Sequence, residues 1–490
     1  MKSSASATNS YNKLWAILIF VVVLRLFSML VFPLTDTTEA RYGEIARKML
    51  ETNNWVTPLH DYGVPFWAKP PLSTWSSAIS MKVLGVNEFA ARLPSLFYML
   101  GVIWLIYHLA KTRYHKDYAL FTAVMLFTFP MFYITSGAVM TDASLTFSVI
   151  LAFVTFWLGI NDNSVSKNNL YGYLFFVSLG VGMLAKGPVS LVLIIPPIVA
   201  WQFLQGDWQR LWNFLPIVKG TLIAALITIP WYVLAEYKTP GFLEYFIIGE
   251  HFNRFLVSGW TGDHYGYAHH EPFGMIWLFT FVSVLPWSLV IISWSIKKLK
   301  NSGFSELTNL NKDAWLIYLI CWVIWPLLFF SIARNIIITY VITVLPPLAL
   351  LIMECCFKNK NQPLKSNKWL LSALLAPSCL ISAVMIMGGC KLDLTVDKSQ
   401  KLLVKKYLEL KSSDQSQLYY YPSRVFSAEF YTNGLAKNTT DSKDIEKLIS
   451  NGAQDFIAIR KSKSLPANIA QHFVVVGTFG RYVLMREVVV

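Results

Sequence analysis

Charge is scarce in this chain. Asp, Glu, Lys and Arg make up 14% of its 490 residues, where a soluble domain of average composition carries about 25%. A disordered chain would be poor in apolar residues and rich in charge, so that class is excluded. Cysteine is scarce too. The five residues Cys321, Cys355, Cys356, Cys379 and Cys390 are odd in number and show no CxxC spacing. Neither a disulfide framework nor a zinc knuckle is supported, and they read as small hydrophobes. There is no internal repeat, and the one biased tract is a short Ser/Ala-rich N-terminus. A fibrous protein is excluded on that ground.

Apolar residues are what the chain has in excess. Hydrophobic residues make up 55% and aromatics 15%, and the mean hydropathy is +0.47. A soluble protein of this length splits into domains with polar surfaces, and its interior could not hide such an excess. A polytopic membrane protein remains.

A membrane helix needs about 20 apolar residues. Eleven spans are expected, near 14–34, 93–110, 118–135, 143–160, 170–185, 188–204, 214–235, 273–295, 314–332, 336–354 and 369–388. The first is too long for a signal peptide and is followed by no small-residue cleavage site, so it reads as an anchor. The net charge of +14 would suggest nucleic acid in a soluble protein, but here it sits in short loops. Lys2 and Lys13 precede the first span. Lys111, Arg113 and Lys116 form one basic loop, Lys297, Lys298 and Lys300 a second, and Lys358, Lys360, Lys365 and Lys368 a third. All fall on one side if the spans alternate, which puts the N-terminus in the cytoplasm. Residues 35–90, 236–272 and the tail then lie outside.

The expected architecture is an α-helical polytopic membrane domain over 1–390 with a small soluble α/β domain over 391–490. In that tail, 417–421 and 456–459 read as strands, 444–449 as a helix turn ending near Gly452, and 472–490 as a hairpin around Gly477 or Gly480.

The first outer loop carries the chemistry. Apolar residues at 42, 45, 46, 49 and 50 have helical spacing, with Arg41, Glu44, Lys48 and Glu51 opposite. An amphipathic helix over 39–51 is expected to lie on the membrane surface. Asp36 and Glu39 stand at its start, where two readings compete. They form a capping box, or they are carboxylates at the mouth of a membrane cavity. Lys69 is followed by Pro70 and Pro71, whose fixed backbone aims it in one direction. That suits a phosphate, while the alternative is a snorkelling interfacial lysine. Asp142 begins the fourth span and is either a helix cap or a functional acid. Arg25 and Lys186 are ionisable residues at similar depth. The second outer loop holds Glu250, His251 and Arg254, then Asp263, His264, His269, His270 and Glu271. The mixture contains metal-ligating types, but its spacings match no tight zinc signature. Phosphate contacts from Arg254 are the stronger expectation.

Several of these segments resemble a known family. They are Thr38-Glu39-Ala40-Arg41-Tyr42-x-Glu44-Ile45, Lys69-Pro70-Pro71-Leu72, Ala90-Ala91-Arg92-Leu93-Pro94, Leu184-Ala185-Lys186-Gly187, Glu250-His251-x-x-Arg254-Phe255, and Tyr340 before Leu345-Pro346-Pro347. Together they resemble the aminoarabinose transferases, GT-C membrane glycosyltransferases related to protein O-mannosyltransferases. The resemblance implies an undecaprenyl-phosphate-linked sugar donor, used on the periplasmic face of a bacterial inner membrane. It implies a lipid acceptor such as a lipid A phosphate, and an amino sugar such as 4-amino-4-deoxy-L-arabinose or galactosamine. Two departures stand out. Thr38-Glu39 occupies the place of the family's Asp-Glu, leaving Asp36 or Glu39 as the replacement. Ala68 stands where a Glu helps the family bind zinc, although His251 matches the other ligand, so a divalent metal stays open.

On that reading Lys69, Arg254 and Lys186 meet the phosphate with Arg41, Tyr42 and Tyr340, and Asp36, Glu39 or Asp142 supplies the carboxylate. The alternatives are a protein O-mannosyltransferase-like enzyme and a transporter or flippase of a lipid-linked sugar.

Overall fold

The computed structural model describes residues 2–162, 165–257, 260–266, 271–302, 313–333, 335–357, 360–364, 368–411, 415–441, 445 and 454–488. Six of its helices are long and apolar enough to cross a membrane: Ser10–Val31, Glu88–Lys111, Asp142–Asn161, Ile217–Lys238, Ala314–Ile332 and Lys368–Cys390. A seventh span would be the pair Met275–Ser283 and Trp287–Lys298, which bends by 106° at its break. Leu170–Lys186, Val189–Gln205 and Leu345–Cys356 are shorter apolar helices.

Three expected spans are broken: 273–295 at the bend just described, and two more at a proline or a tight turn. The stretch 118–135 becomes Lys116–Phe127 and Pro130–Thr135. Pro130 lacks the amide that would continue the first helix, so it starts the second. The stretch 336–354 begins with a 3-10 turn, Ile338–Thr343, before Leu345–Cys356. Apart from Ile445, the helix turn 444–449 expected in the tail falls outside the described residues, as do His269, His270, Lys358 and Lys365.

Contacts divide the chain into two units. One comprises Met1–Arg25, Pro65–Ser73 and Leu93–Ile381, the other Leu26–Val64, Thr74–Arg92 and Ser382–Val490. In the first unit the helices carry apolar residues on all sides. Ile217–Lys238 exposes Val218, Leu222, Leu226, Ile229 and Val233, a surface suited to lipid. Its interior is aromatic. Phe153 stacks on Trp322 with ring centres 4.1 Å apart, and the Tyr318 hydroxyl donates to the Phe153 carbonyl at 2.7 Å.

The second unit contains a five-stranded sheet ordered Lys437–Asn438, Leu418–Tyr421, Phe456–Arg460, Tyr482–Glu487, Phe473–Phe479. The first three strands pair in parallel and the last two are antiparallel. The closing hairpin turns at Gly480, whose φ of +55° is accessible to glycine without strain. Leu403, Tyr407, Tyr420, Phe456 and Leu484 form the core beneath one face.

The helix Thr38–Thr52 belongs to this second unit, and it corrects one expectation. Its charged face is buried in protein: Glu44 and Lys48 are 0% exposed and Arg47 4%. The reason is a set of partners distant in sequence. Lys48 Nζ lies 2.6 Å from Glu429 and 3.2 Å from Glu44. Arg47 grips both oxygens of Glu44 at 2.7 and 2.8 Å, and Arg424 grips both of Glu429 at 2.8 Å. Charges that satisfy one another this way can leave water together.

Removing Lys48 takes one cation from Glu429 and Glu44, while Arg424 and Arg47 stay on them. Lys48→Met should therefore lower the stability of the purified protein by less than the ~3–5 kcal/mol of a buried pair left with a bare charge. A double-mutant cycle with Glu429→Gln, followed by thermal unfolding, should show strong coupling. Effects that simply add would mean the two charges do not depend on each other.

A cavity of paired cations

Three segments of the first unit, with Asp142 at the head of the helix Asp142–Asn161, supply the charged side chains of one cavity. The first is Pro65–Ser73, held at several points. The Tyr265 hydroxyl donates to the Pro65 carbonyl at 2.8 Å and accepts from the Trp67 amide at 3.0 Å, while Trp67 Nε1 donates to Thr239. Pro70 and Pro71 stiffen the chain on the C-terminal side of Lys69. Lys69 is thereby placed with Nζ 2.9 Å from Glu250 and 2.6 Å from the Ala68 carbonyl.

The second segment, Glu244–Asn253, is a π-helix, in which residues five apart share a face. That period explains two contacts. The Tyr245 hydroxyl donates to Glu250 at 3.1 Å, and the His251 ring meets Phe246, with Nδ1 2.8 Å from the Phe246 carbonyl. Arg254 Nη1 lies 3.0 Å from Glu250 and 3.4 Å from Asp263. Glu250 is thus shared by two cations and a phenol. Burial alone would raise its carboxyl, but Lys69 and Arg254 outweigh that and hold it down at about 2. Burial pushes the Tyr245 hydroxyl up, helped by the Glu250 charge, so it stays a donor.

The third segment is Lys186-Gly187-Pro188. Lys186 Nζ lies 2.8 Å from Asp142 at the head of its helix and 4.7 Å from the Tyr340 ring centre. Gly187 has a φ of +78°, and a Cβ there would meet the Phe246 ring at 2.5 Å. Only glycine fits. Tyr340 comes from the 3-10 turn that interrupts the expected span.

These groups line a cavity of about 360 Å³. Lys69, Lys186, Arg254, Asp142, Glu250 and Tyr340 give it polar character, while Val192, Leu193, Phe255, Phe329 and Phe330 give it apolar walls. Such a space can hold an anionic headgroup attached to a hydrocarbon chain.

The other carboxylate candidates belong to the second unit, and neither caps the helix as a capping box would. The N-cap is Thr37, and no side chain bonds there. Asp36 accepts from the Ser427 amide at 3.0 Å and from the Ser427 hydroxyl. Burial pushes its carboxyl up to about 6 in spite of those bonds. Glu39 receives Arg92 Nε at 2.8 Å and Nη2 at 2.9 Å. Arg92 also donates to the carbonyls of Met29, Phe32 and Pro33, so all five of its N–H groups are used. Arg41 lies over the ring of its neighbour Tyr42, 5.6 Å from the centre.

Comparison with known proteins fits this arrangement. The family described as dolichyl-phosphate-mannose-protein mannosyltransferase matches residues 11–246. Undecaprenyl phosphate-alpha-4-amino-4-deoxy-L-arabinose arabinosyl transferase 1 of Pseudomonas fluorescens is 30% identical over 357 residues, covering 71% of this chain and 59% of the relative. The corresponding Enterobacter protein is 28% identical, covering 71% and 60%. The chain spans about three fifths of the length of these relatives. The crystal structure of ArnT from Cupriavidus metallidurans bound to undecaprenyl phosphate superposes with a TM-score of 0.76 at 18% identity, covering 97% of this chain and 98% of that one. Over this length the chain is similar to the aminoarabinose transferases, and it shares the fold of the ArnT crystal structure. It is a multi-pass membrane protein with the helical GT-C fold.

The zinc associated with the aminoarabinose transferases does not fit here. Ala68 replaces one ligand. Both nitrogens of the other, His251, face carbonyls, Nδ1 that of Phe246 and Nε2 that of Lys186 at 3.3 Å. Among the described residues there is no group of three His, Cys, Asp or Glu side chains able to hold a metal.

Tyr245 and Arg92 have no part in the site expected from sequence, and Glu250 and Asp263 enter it only among metal-ligating types. Glu250 and Arg92 stand inside the family-like motifs, and the i,i+4 spacing of Glu250 and Arg254 is a visible signal. The partnership of Glu250 with Lys69 spans 181 residues and leaves no local trace.

Asp36 supports a pH prediction. Its carboxyl has an ordinary value of 3.8 and titrates near 6 when folded. Between those values the native state binds more protons, so its contribution to stability falls as pH rises from about 4 to about 6. Asp36→Asn keeps an acceptor for the Ser427 amide. It should flatten that part of the profile in thermal unfolding from pH 4 to 7, with no loss of stability at pH 7. An unchanged profile would assign the titration to another group.

Proposed function

We propose that the chain is a polyprenyl-phosphate-sugar-dependent glycosyltransferase of a bacterial inner membrane. It moves a sugar from undecaprenyl phosphate to a lipid A phosphate on the periplasmic face, and the sugar is an amino sugar such as 4-amino-4-deoxy-L-arabinose or galactosamine. The observation that carries this reading is the gathering of Lys69, Lys186 and Arg254 in one cavity with apolar walls. The relatives' names supply the donor and the sugar class. About eleven spans, a cytoplasmic N-terminus, a membrane domain over 1–390 and a periplasmic domain over 391–490 complete the proposal. Its support is the alternation of basic loops.

The chemistry follows from charge. The bond between sugar C1 and the phosphate oxygen breaks, and its electron pair stays on that oxygen. A bond forms between C1 and the acceptor oxygen. Fixed cations aimed at the leaving phosphate stabilise the growing charge without reorganising. Lys69 and Arg254 fill that role, Lys186 adds a third charge, and the Tyr340 hydroxyl is a further donor. A phosphate acceptor is already ionised near neutral pH, its second pKa being about 6, so it needs little help from a base. Asp142, bound to Lys186, orients that cation and the sugar. For Glu39, Asp36, Arg41 and Tyr42, a part in transfer is proposed on the resemblance alone.

Mass spectrometry of lipid A from cells with and without the gene tests the reading. A sugar-sized mass difference on lipid A is expected. The match to protein mannosyltransferases favours one alternative, which unchanged lipid A with altered glycoproteins would establish. A flippase would leave the purified protein unable to transfer sugar in detergent.

Two further outcomes are expected. Lys69→Ala should lower transfer by about 10²–10³ at unchanged protein level. Lys69→Arg should recover only part of it, because a planar fork is not a point charge. Near-normal turnover of the alanine variant in a detergent assay would reduce Lys69 to a loop anchor. For topology, alkaline phosphatase fused after Val490 should be active and fused near Lys298 inactive. The reverse pattern would overturn the orientation and the catalytic face together.

A further inference from the structure

The charges that line the cavity nearly balance. Lys69, Lys186 and Arg254 contribute three positive charges, and Asp142 and Glu250 two negative. The lining side chains sum to one positive charge, while Asp263, outside the lining, takes a further share of Arg254 at 3.4 Å. Glu250 stands out among the five. It is buried, with Lys69 and Arg254 both on Oε2 and Tyr245 on Oε1. It belongs to a rigid π-helical turn, and the proposed transfer chemistry gives it no role.

We propose that Glu250 is a positioning residue that draws Lys69 and Arg254 onto one carboxylate and cancels one of their charges, so that the cavity accepts the lipid-linked sugar and releases the spent lipid phosphate. The inference rests on the proposed donor. A sugar phosphodiester carries one negative charge, which matches the cavity. When the C1–O bond breaks and its electron pair stays on the phosphate, the lipid retains a monoester with about 1.5 to 2 negative charges. The product is therefore held more strongly than the donor by any positive cavity. Without the Glu250 charge the two cations would repel each other, and the excess charge would trap the product further. Tighter binding of the product does not stabilise the transition state and slows release instead. The carboxylate thus holds two like charges close together while limiting their total.

The test uses the full-length protein with undecaprenyl phosphate as the probe. Glu250→Gln removes the charge and keeps the shape. Undecaprenyl phosphate should inhibit this variant about tenfold more strongly, and kcat should fall through slow product release while the donor KM does not rise. Glu250→Asp keeps the charge and should return inhibition toward the wild-type value. Tyr245→Phe removes a hydrogen bond from Glu250 without changing charge and should leave inhibition near wild type. Equilibrium binding of undecaprenyl phosphate gives the same comparison if the glutamine variant does not turn over. A glutamine variant that binds the lipid phosphate more weakly than wild type, or equally well, would overturn the proposal and leave Glu250 a structural support. A wild-type protein that neither transfers sugar nor binds undecaprenyl phosphate would instead sink the donor reading on which the proposal rests.

Discussion

A charge removed from water must meet its opposite inside the protein, and that requirement organises both units. An ionised group buried alone is costlier than any single packing contact can offset. In the cavity, Lys69 and Arg254 meet on Glu250, and Lys186 meets Asp142. In the other unit, Arg92 meets Glu39, and Lys48, Arg47 and Arg424 meet Glu44 and Glu429. Each pair joins segments remote in sequence or successive turns of one helix. The pairs therefore fix the path of the chain where apolar packing alone would leave it free. The tight turns follow from them: Gly187 lets Lys186 and the Phe246 ring approach, and the prolines after Lys69 hold its segment extended.

The membrane character of the chain was legible in composition and in runs of apolar residues. Helices occupy every expected span. Their lengths were less legible. The 3-10 turn at Ile338–Thr343 hides within a continuous apolar stretch, because hydropathy does not distinguish one helical period from another. The break before Pro130 had a visible cause in the proline itself. In the tail, the strands near 418 and 456 and the hairpin at Gly480 were readable from alternation and turn residues.

The cavity was legible to the extent that its cations stand in distinctive local patterns. Lys69 precedes two prolines, Lys186 a glycine and a proline, and Arg254 follows Glu250 by one helical turn. What periodicity could not supply was partnership across the chain. The helix Thr38–Thr52 shows why. Its charged stripe has the pattern of a solvated face, yet Glu429 and Arg424, nearly 400 residues away, turn that stripe into a buried interface within its unit. The same gap affected Asp36, whose partner Ser427 is 391 residues distant.

The state of the carboxylates bears on mechanism. A general base needs a free lone pair within reach of the proton it removes. Glu39 gives both oxygens to Arg92, Asp142 is tied to Lys186, Glu250 holds two cations, and Asp36 accepts from the Ser427 amide and hydroxyl. Of these, Glu250 is weakened as a base by its two adjacent cations, and the others are already engaged as hydrogen-bond acceptors. Lys69 and Arg254, by contrast, retain N–H donors beyond those spent on their partners. A site so constituted favours chemistry in which the leaving group is stabilised and the nucleophile arrives already ionised. A phosphate oxygen meets that condition, and a serine or threonine hydroxyl does not. The pairing that lets these charges stay buried is thus also what tilts the proposed transfer toward an anionic acceptor.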